Sequence, residues 1–109
     1  MLWNRPRKLW MSTKSKGTAR EHKTMKYLEA RGYKCSRTAA SLGEWDIFAI
    51  SPETVLLVQV KSNRWPGRPE MERLRVFSAP AGVLKQVWRW DDYAREPKIR
   101  EVENECVCG

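Results

Sequence analysis

Glu44-Trp45-Asp46-Ile47-Phe48-Ala49-Ile50-Ser51-Pro52-Glu53-Thr54-Val55-Leu56-Leu57-Val58-Gln59-Val60-Lys61 carries the strongest structural signal in the chain. Two β-rich runs flank a turn-forming Ser51-Pro52-Glu53-Thr54, so they read as an antiparallel hairpin. Side chains alternate along a strand, which puts Gln59 and Lys61 on one face and Val58 and Val60 on the other. Neighbouring strands lie about 4.8 Å apart, so Asp46 and Gln59 come within reach of one small cation. An acid, an amide and an ammonium inside a sheet are costly unless paired or bound to an ion. A partly exposed Asp–Lys pair at a sheet edge is the plainer reading of the same residues.

The segment before the hairpin sharpens the choice. Thr18-Ala19-Arg20-Glu21 fits a capping box, and Gly32 fits the residue just past a helix end, which predicts a helix over 18–31. Glu21, Met25, Leu28 and Gly32 fall on one stripe of it. Glu21 is then an acid at the head of the face that packs on the sheet, although a cap alone would also place it there. A short strand follows near 33–38, then a loop through Ala39-Ala40-Ser41-Leu42-Gly43 and strands at 45–50 and 54–62. Asn63-Arg64-Trp65-Pro66-Gly67-Arg68-Pro69 is a loop by its prolines and glycine. A second helix near 70–78, a strand at 83–90 with Trp88 and Trp90 on one face, and a last short strand near 99–103 complete the chain. The order αβββαβ predicts an α/β domain, a central mixed sheet flanked by helices. Cover on both faces explains why Val55 to Val58 is continuously apolar.

In this order and spacing, Glu21, Gly32-Tyr33, Arg37, Ala40-Ser41-Leu42-Gly43, the Asp46 strand, and Gln59-Val60-Lys61 with Ser62 resemble the PD-(D/E)XK nuclease superfamily, and within it the archaeal-type Holliday junction resolvases. The resemblance runs from Gly17 to about Ser62 and implies a restriction-endonuclease-like core. It also implies a metal-dependent, structure-selective DNA endonuclease, with Asp46, the Gln59 side-chain oxygen, the Val60 carbonyl and Glu21 around Mg²⁺, for which Mn²⁺ could substitute. Lys61 would position or help deprotonate the attacking water, and Ser41 matches a serine near the scissile phosphate. The usual acid of the triplet is Gln59 here. An amide oxygen can ligate a hard cation but brings no charge. Glu44, two residues before Asp46, is the expected substitute. Two other readings remain: a non-catalytic nucleic-acid-binding protein on the same fold, and another nuclease of the superfamily acting in nicking, repair or restriction.

Composition points to the same partner. The 109 residues carry a net charge of +8 and six tryptophans. Eleven Lys or Arg against two Glu lie in residues 1–37, while the last fourteen residues hold two against four acids. Such a concentration beside a candidate metal site points to a nucleic acid as partner, and the resemblance implies DNA, branched or four-way. Met1 to Lys16 reads as a flexible basic arm with Trp3 and Trp10 among its cations, and residues 17–109 as a single domain. Arg37, Arg64 and Arg68 are candidate phosphate clamps, with Lys14, Lys16 and Arg20 as further contacts and Trp65 as a stacking residue. Cys35, Cys106 and Cys108 lack a second ligand pair for zinc and read as free thiols. No apolar run is long enough for a membrane span or a signal peptide. A cytoplasmic or nucleoid location is expected, or the host cytoplasm for a virus-encoded chain. Cutting two opposed strands calls for a homodimer, with Trp88 and Trp90 as the expected interface.

Overall fold

The computed structural model describes residues 13–38 and 43–103, and of 13–16 the backbone alone. Its elements are α1 (Thr13–Glu29), β1 (Lys34–Arg37), β2 (Ile47–Ile50), β3 (Val55–Ser62), α2 (Arg68–Val76), β4 (Val83–Trp90) and β5 (Lys98–Val102). The five strands lie in sequential order β1-β2-β3-β4-β5. All pairs are antiparallel except β3 with β4, which α2 connects in parallel. This is the expected α/β architecture with a mixed sheet, and the last strand is present.

The hairpin forms as its turn residues require. Ser51 N–H donates to the Thr54 carbonyl at 2.8 Å, and the Ser51 hydroxyl oxygen accepts from Glu53 and Thr54 N–H groups. β2 and β3 pair from Ile50↔Val55 to Ile47↔Val58. One sheet face carries Ile47, Ala49, Leu56, Val58, Trp88 and Trp90 against Leu28 of α1. The other carries Trp45, Leu57, Val87 and Val102 against Leu74 of α2. Both faces are therefore covered, as the unbroken apolar run in β3 demands.

α1 begins at Thr13, five residues before Thr18. Thr18 thus lies inside the helix rather than capping it, and the last four residues of the expected flexible arm are helical. The helix-favouring Lys14 and Lys16 extend it upstream, which a search for a cap overlooks. Residues 1–12, with Trp3 and Trp10, fall outside the described residues. At the other end the expected stop is present. Gly32 adopts φ +95°, Gly32 N–H bonds to Glu29 O and Tyr33 N–H to Leu28 O, the two bonds of a Schellman cap.

The dimer expectation for Trp88 and Trp90 is corrected. Both are buried in the protein's own core, at 3% and 1% exposure, with Tyr27 of α1 packed edge-on to each ring. The Trp90 indole N–H donates to the buried Thr24 hydroxyl at 2.7 Å. A helix that reaches across the late strand uses the apolar area that looked surplus in the sequence.

Lys85 is 1% exposed, yet its ammonium is not stranded. It donates to the carbonyls of Leu74, Arg75 and Phe77 at 2.7, 3.1 and 2.7 Å, at the C-terminal end of α2. Burial, and after it the Arg75 charge, lowers its pKa, and the three carbonyls take the place of lost water. A cation at the negative end of a helix is also favoured by the dipole. Lys85→Met should keep the stem's packing and leave these carbonyls without their donor, lowering stability by about 1–3 kcal/mol in urea unfolding. An unchanged midpoint would mean that water satisfies them instead.

Candidate active site

β3 is twice as long as β2, and the site sits where the pairing stops. Asp46 N–H still bonds to the Val58 carbonyl at 2.8 Å, but beyond that point β3 runs on to Ser62 without β2 beside it. The Val60 N–H is taken by the Asp46 side chain, whose Oδ2 accepts at 2.8 Å. A carboxylate thus stands in for a strand carbonyl, which fixes Asp46 against the backbone next to Gln59 and Lys61.

Asp46 is also the most electrically unusual group of the site. Its carboxyl pKa is pushed up to about 6. Burial is the largest cause, the Val60 N–H works in the opposite direction, Glu21 and Glu70 raise it further, and Lys61 lowers it. Those influences locate the cluster: α1 brings Glu21, β3 brings Lys61 and α2 brings Glu70 around Asp46. Glu21 is ion-paired with Arg37 of β1 at 2.9 Å, so this Arg is anchored at the site edge and remains half-exposed.

Gln59 is buried at 5% exposure. Its Nε2 donates to Glu70 Oε2 at 2.8 Å and to the Glu44 carbonyl at 3.1 Å, while its Oε1 is buried without a partner. Lys61 Nζ lies 3.2 and 3.4 Å from the two Glu70 oxygens. Glu70, in the first turn of α2 where a negative charge suits the helix dipole, thus sets a carboxylate beside the triplet. Sequence reading missed it. The available signal was an acid just after Pro69 at a helix start, a position that local sequence explains without any site.

Glu44, expected as the substitute, is placed otherwise. It follows Gly43, at φ +66°, in a turn rather than a strand, and its carboxylate pairs with Arg73 at 2.9 Å. The strand begins only at Ile47, so the alternation argument does not extend back to Glu44. Arg20 is engaged too, donating to the Ser62 hydroxyl at 3.0 Å and to Asp92 at 2.7 Å. Arg64 and Arg68 are exposed and carry no acid partner among the described residues. The Trp65 ring is half-buried beneath Arg100 and Arg89, 4.3 and 5.0 Å from its centroid. Ser41 lies outside the described residues, and for Lys14 and Lys16 only the helical backbone is described.

Among the described residues no three His, Cys, Asp or Glu side chains form a metal-binding group. The donors nonetheless fit a hard cation. The carboxylates of Asp46, held in want of positive charge, and Glu21, with the buried Gln59 Oε1 that has no hydrogen-bond donor, form a sparse oxygen site. Mg²⁺ uses such sites because it retains several of its waters. Among the described residues no helix is long and apolar enough to cross a membrane.

Comparison with known proteins agrees with this arrangement. The profile of the archaeal Holliday junction resolvase (Hjc) family matches residues 12–77, more than half of the chain. Among solved structures, the Holliday junction resolvase Hjc of Archaeoglobus fulgidus is similar with a TM-score of 0.66 and 26% identity, over 81% of this chain and 74% of that one. No curated protein sequence matches. With its restriction-endonuclease-like fold and this match over α1, the hairpin and α2, the chain belongs to the archaeal Holliday junction resolvase family and is a structure-selective DNA endonuclease.

Proposed function

We propose that the chain resolves four-way DNA junctions by Mg²⁺-dependent phosphodiester hydrolysis at the cluster of Glu21, Asp46, Gln59, Lys61 and Glu70. The observation that supports this most directly is the Asp46 carboxyl, fixed by the Val60 N–H and left short of positive charge between Glu21 and Glu70. Asp46, Glu21, the Gln59 Oε1 and the Val60 carbonyl would hold Mg²⁺, and Mn²⁺ would substitute. When bound, the ion supplies charge neutralisation at the phosphate and an activated water. Lys61, steered by Glu70, donates a hydrogen bond from Nζ to the phosphate oxygen on which charge develops. Gln59 aligns Glu70 through its Nε2 and leaves its oxygen for the ion. Arg37, Arg64 and Arg68 bind phosphates around the site, joined by Lys14, Lys16 and Ser41. A reading as a binding protein that lost catalysis through Gln59 is not favoured, because Glu70 restores the missing negative charge.

Two opposed strands must be cut, so the active species is a two-fold dimer, with the cytoplasm or nucleoid, or a host's cytoplasm for a virus-encoded chain, as its location. Sedimentation at micromolar concentration with a four-way junction should give two chains per junction; a monomer both with and without the junction would leave a nicking enzyme instead.

Asp46→Ala and Lys61→Ala should abolish cleavage of a junction while junction affinity changes by no more than about threefold, because Lys and Arg contacts to phosphate dominate binding. Either variant cutting at the wild-type rate would refute the assignment.

The raised Asp46 pKa has a sign that can be measured. A carboxyl with a folded pKa of about 6 against 3.8 unfolded favours folding when protonated, and that stability is lost as pH rises from about 4 to about 6. Metal-free Asp46→Asn at pH 8 should therefore be more stable than wild type by about 1–2 kcal/mol, after allowance for the solvent that still reaches the group. At pH 4 the two should melt together. Protons should likewise compete with Mn²⁺ below about pH 6, weakening its binding in calorimetry.

Gln59→Glu alone should impair the protein, since it sets a carboxylate against Glu70 and removes both amide donations. Gln59→Glu with Glu70→Gln keeps the charge count and one hydrogen bond with donor and acceptor exchanged. Cleavage by the double variant should exceed that of the single one at least tenfold; equal rates would mean that the two side chains act separately.

A further inference from the structure

We infer that the α2-side face of β4 and β5 is a second phosphate-binding surface, on which Arg100 and Lys98 hold a DNA strand leading away from the cleavage site. The inference rests on the endonuclease reading for its location and on its own geometry for the residues. Strand register sets Lys61 beside Arg89 and Arg89 beside Lys98, so three cations form one row across β3, β4 and β5. Arg100 stands one step back in the same face, opposite Val87. Two strand spacings put Lys98 about 10 Å from Lys61, a distance of about three base-pair steps.

The charges in this row are not balanced. Arg89 makes two bonds to Asp91, at 2.8 and 3.0 Å, and Lys98 lies 3.3 Å from the same carboxylate. One acid thus serves two cations. Arg100 has no carboxylate partner among the described residues; its guanidinium is instead placed over the Trp65 ring at 4.3 Å. A guanidinium over an aromatic ring is held in position without committing its N–H donors to an acid. It remains exposed, a preorganised fork for a phosphate. Trp65 accordingly acts as the platform for Arg100 rather than as a stacking partner for a base. Arg64, next to Trp65 in sequence, and Arg68, the first residue of α2, are exposed as well.

Binding of labelled four-way junction and of linear duplex, measured by anisotropy without divalent metal between 50 and 200 mM salt, tests this. Arg100→Ala and Lys98→Ala should each weaken binding of the junction about three- to tenfold at 100 mM salt and lower the slope of log K against log salt by about 0.9. Arg100→Lys should retain the slope and still lose affinity, because an ammonium lacks the planar fork. Trp65→Leu should lose affinity in the same way. If both alanine variants, folded by circular dichroism, bind both DNAs with wild-type affinity and slope, the surface is wrong. If they lower the slope while wild type with Mg²⁺ or Mn²⁺ cuts no junction, the surface stands and the endonuclease reading fails.

Discussion

The sheet is wide enough to need two covering helices, but the site depends on a place where pairing stops. Past Ile47↔Val58, β3 continues with no β2 backbone to receive its N–H groups, and an unpaired buried donor costs about 1–3 kcal/mol. Asp46 answers that demand with its side chain. The same bond that satisfies the sheet fixes a carboxylate beside Gln59 and Lys61, so geometry and reactivity have one origin. A longer β2 would satisfy Val60 through its backbone and leave Asp46 free to rotate away.

The second requirement is that α2 hold still. Glu70 reaches Gln59 and Lys61 from a helix docked by Leu74 and Met71 and capped by Lys85 at its far end. A buried ammonium with three carbonyl acceptors is a stiff attachment, and the helix is short, running only from Arg68 to Val76. Rigidity at the C-terminus is thereby delivered to the acid in the first turn. Strand-borne Lys61 and helix-borne Glu21 and Glu70 are supported by elements rather than by loops, and Asp46, one residue before β2, is fixed by its bonds to β3, which favours one geometry.

Much of this was legible in the sequence. The turn Ser51 to Thr54, Gly32 as the end of α1, Pro69 in the first turn of α2 and the late strand at 83–90 each carry local chemistry that acts wherever it occurs, and each element formed accordingly. Asp46, Gln59 and Lys61 could be brought together because a hairpin makes near neighbours of residues far apart in sequence. Glu70 could not. Its place depends on how a crossover helix docks, which no local pattern encodes, whereas Glu44 faces the site only if strand alternation reaches past the true start of β2, which it does not. Trp88 and Trp90 failed as interface candidates for a related reason. Their burial is decided by Tyr27 and Thr24 on a helix some sixty residues earlier in the sequence.

The two outer strands have a consequence of a different kind. β1 is Lys34-Cys35-Ser36-Arg37 and β5 is Lys98-Ile99-Arg100-Glu101-Val102, so each rim of the sheet is short and ends or alternates in cations. Unpaired rims invite a further strand from another molecule, and lysine and arginine are among the residues that discourage it. The positive charge suited to a nucleic acid therefore also resists runaway polymerisation of the sheet. It should do so least when the charge is neutralised, which ties the colloidal behaviour of the free protein to the amount of polyanion present.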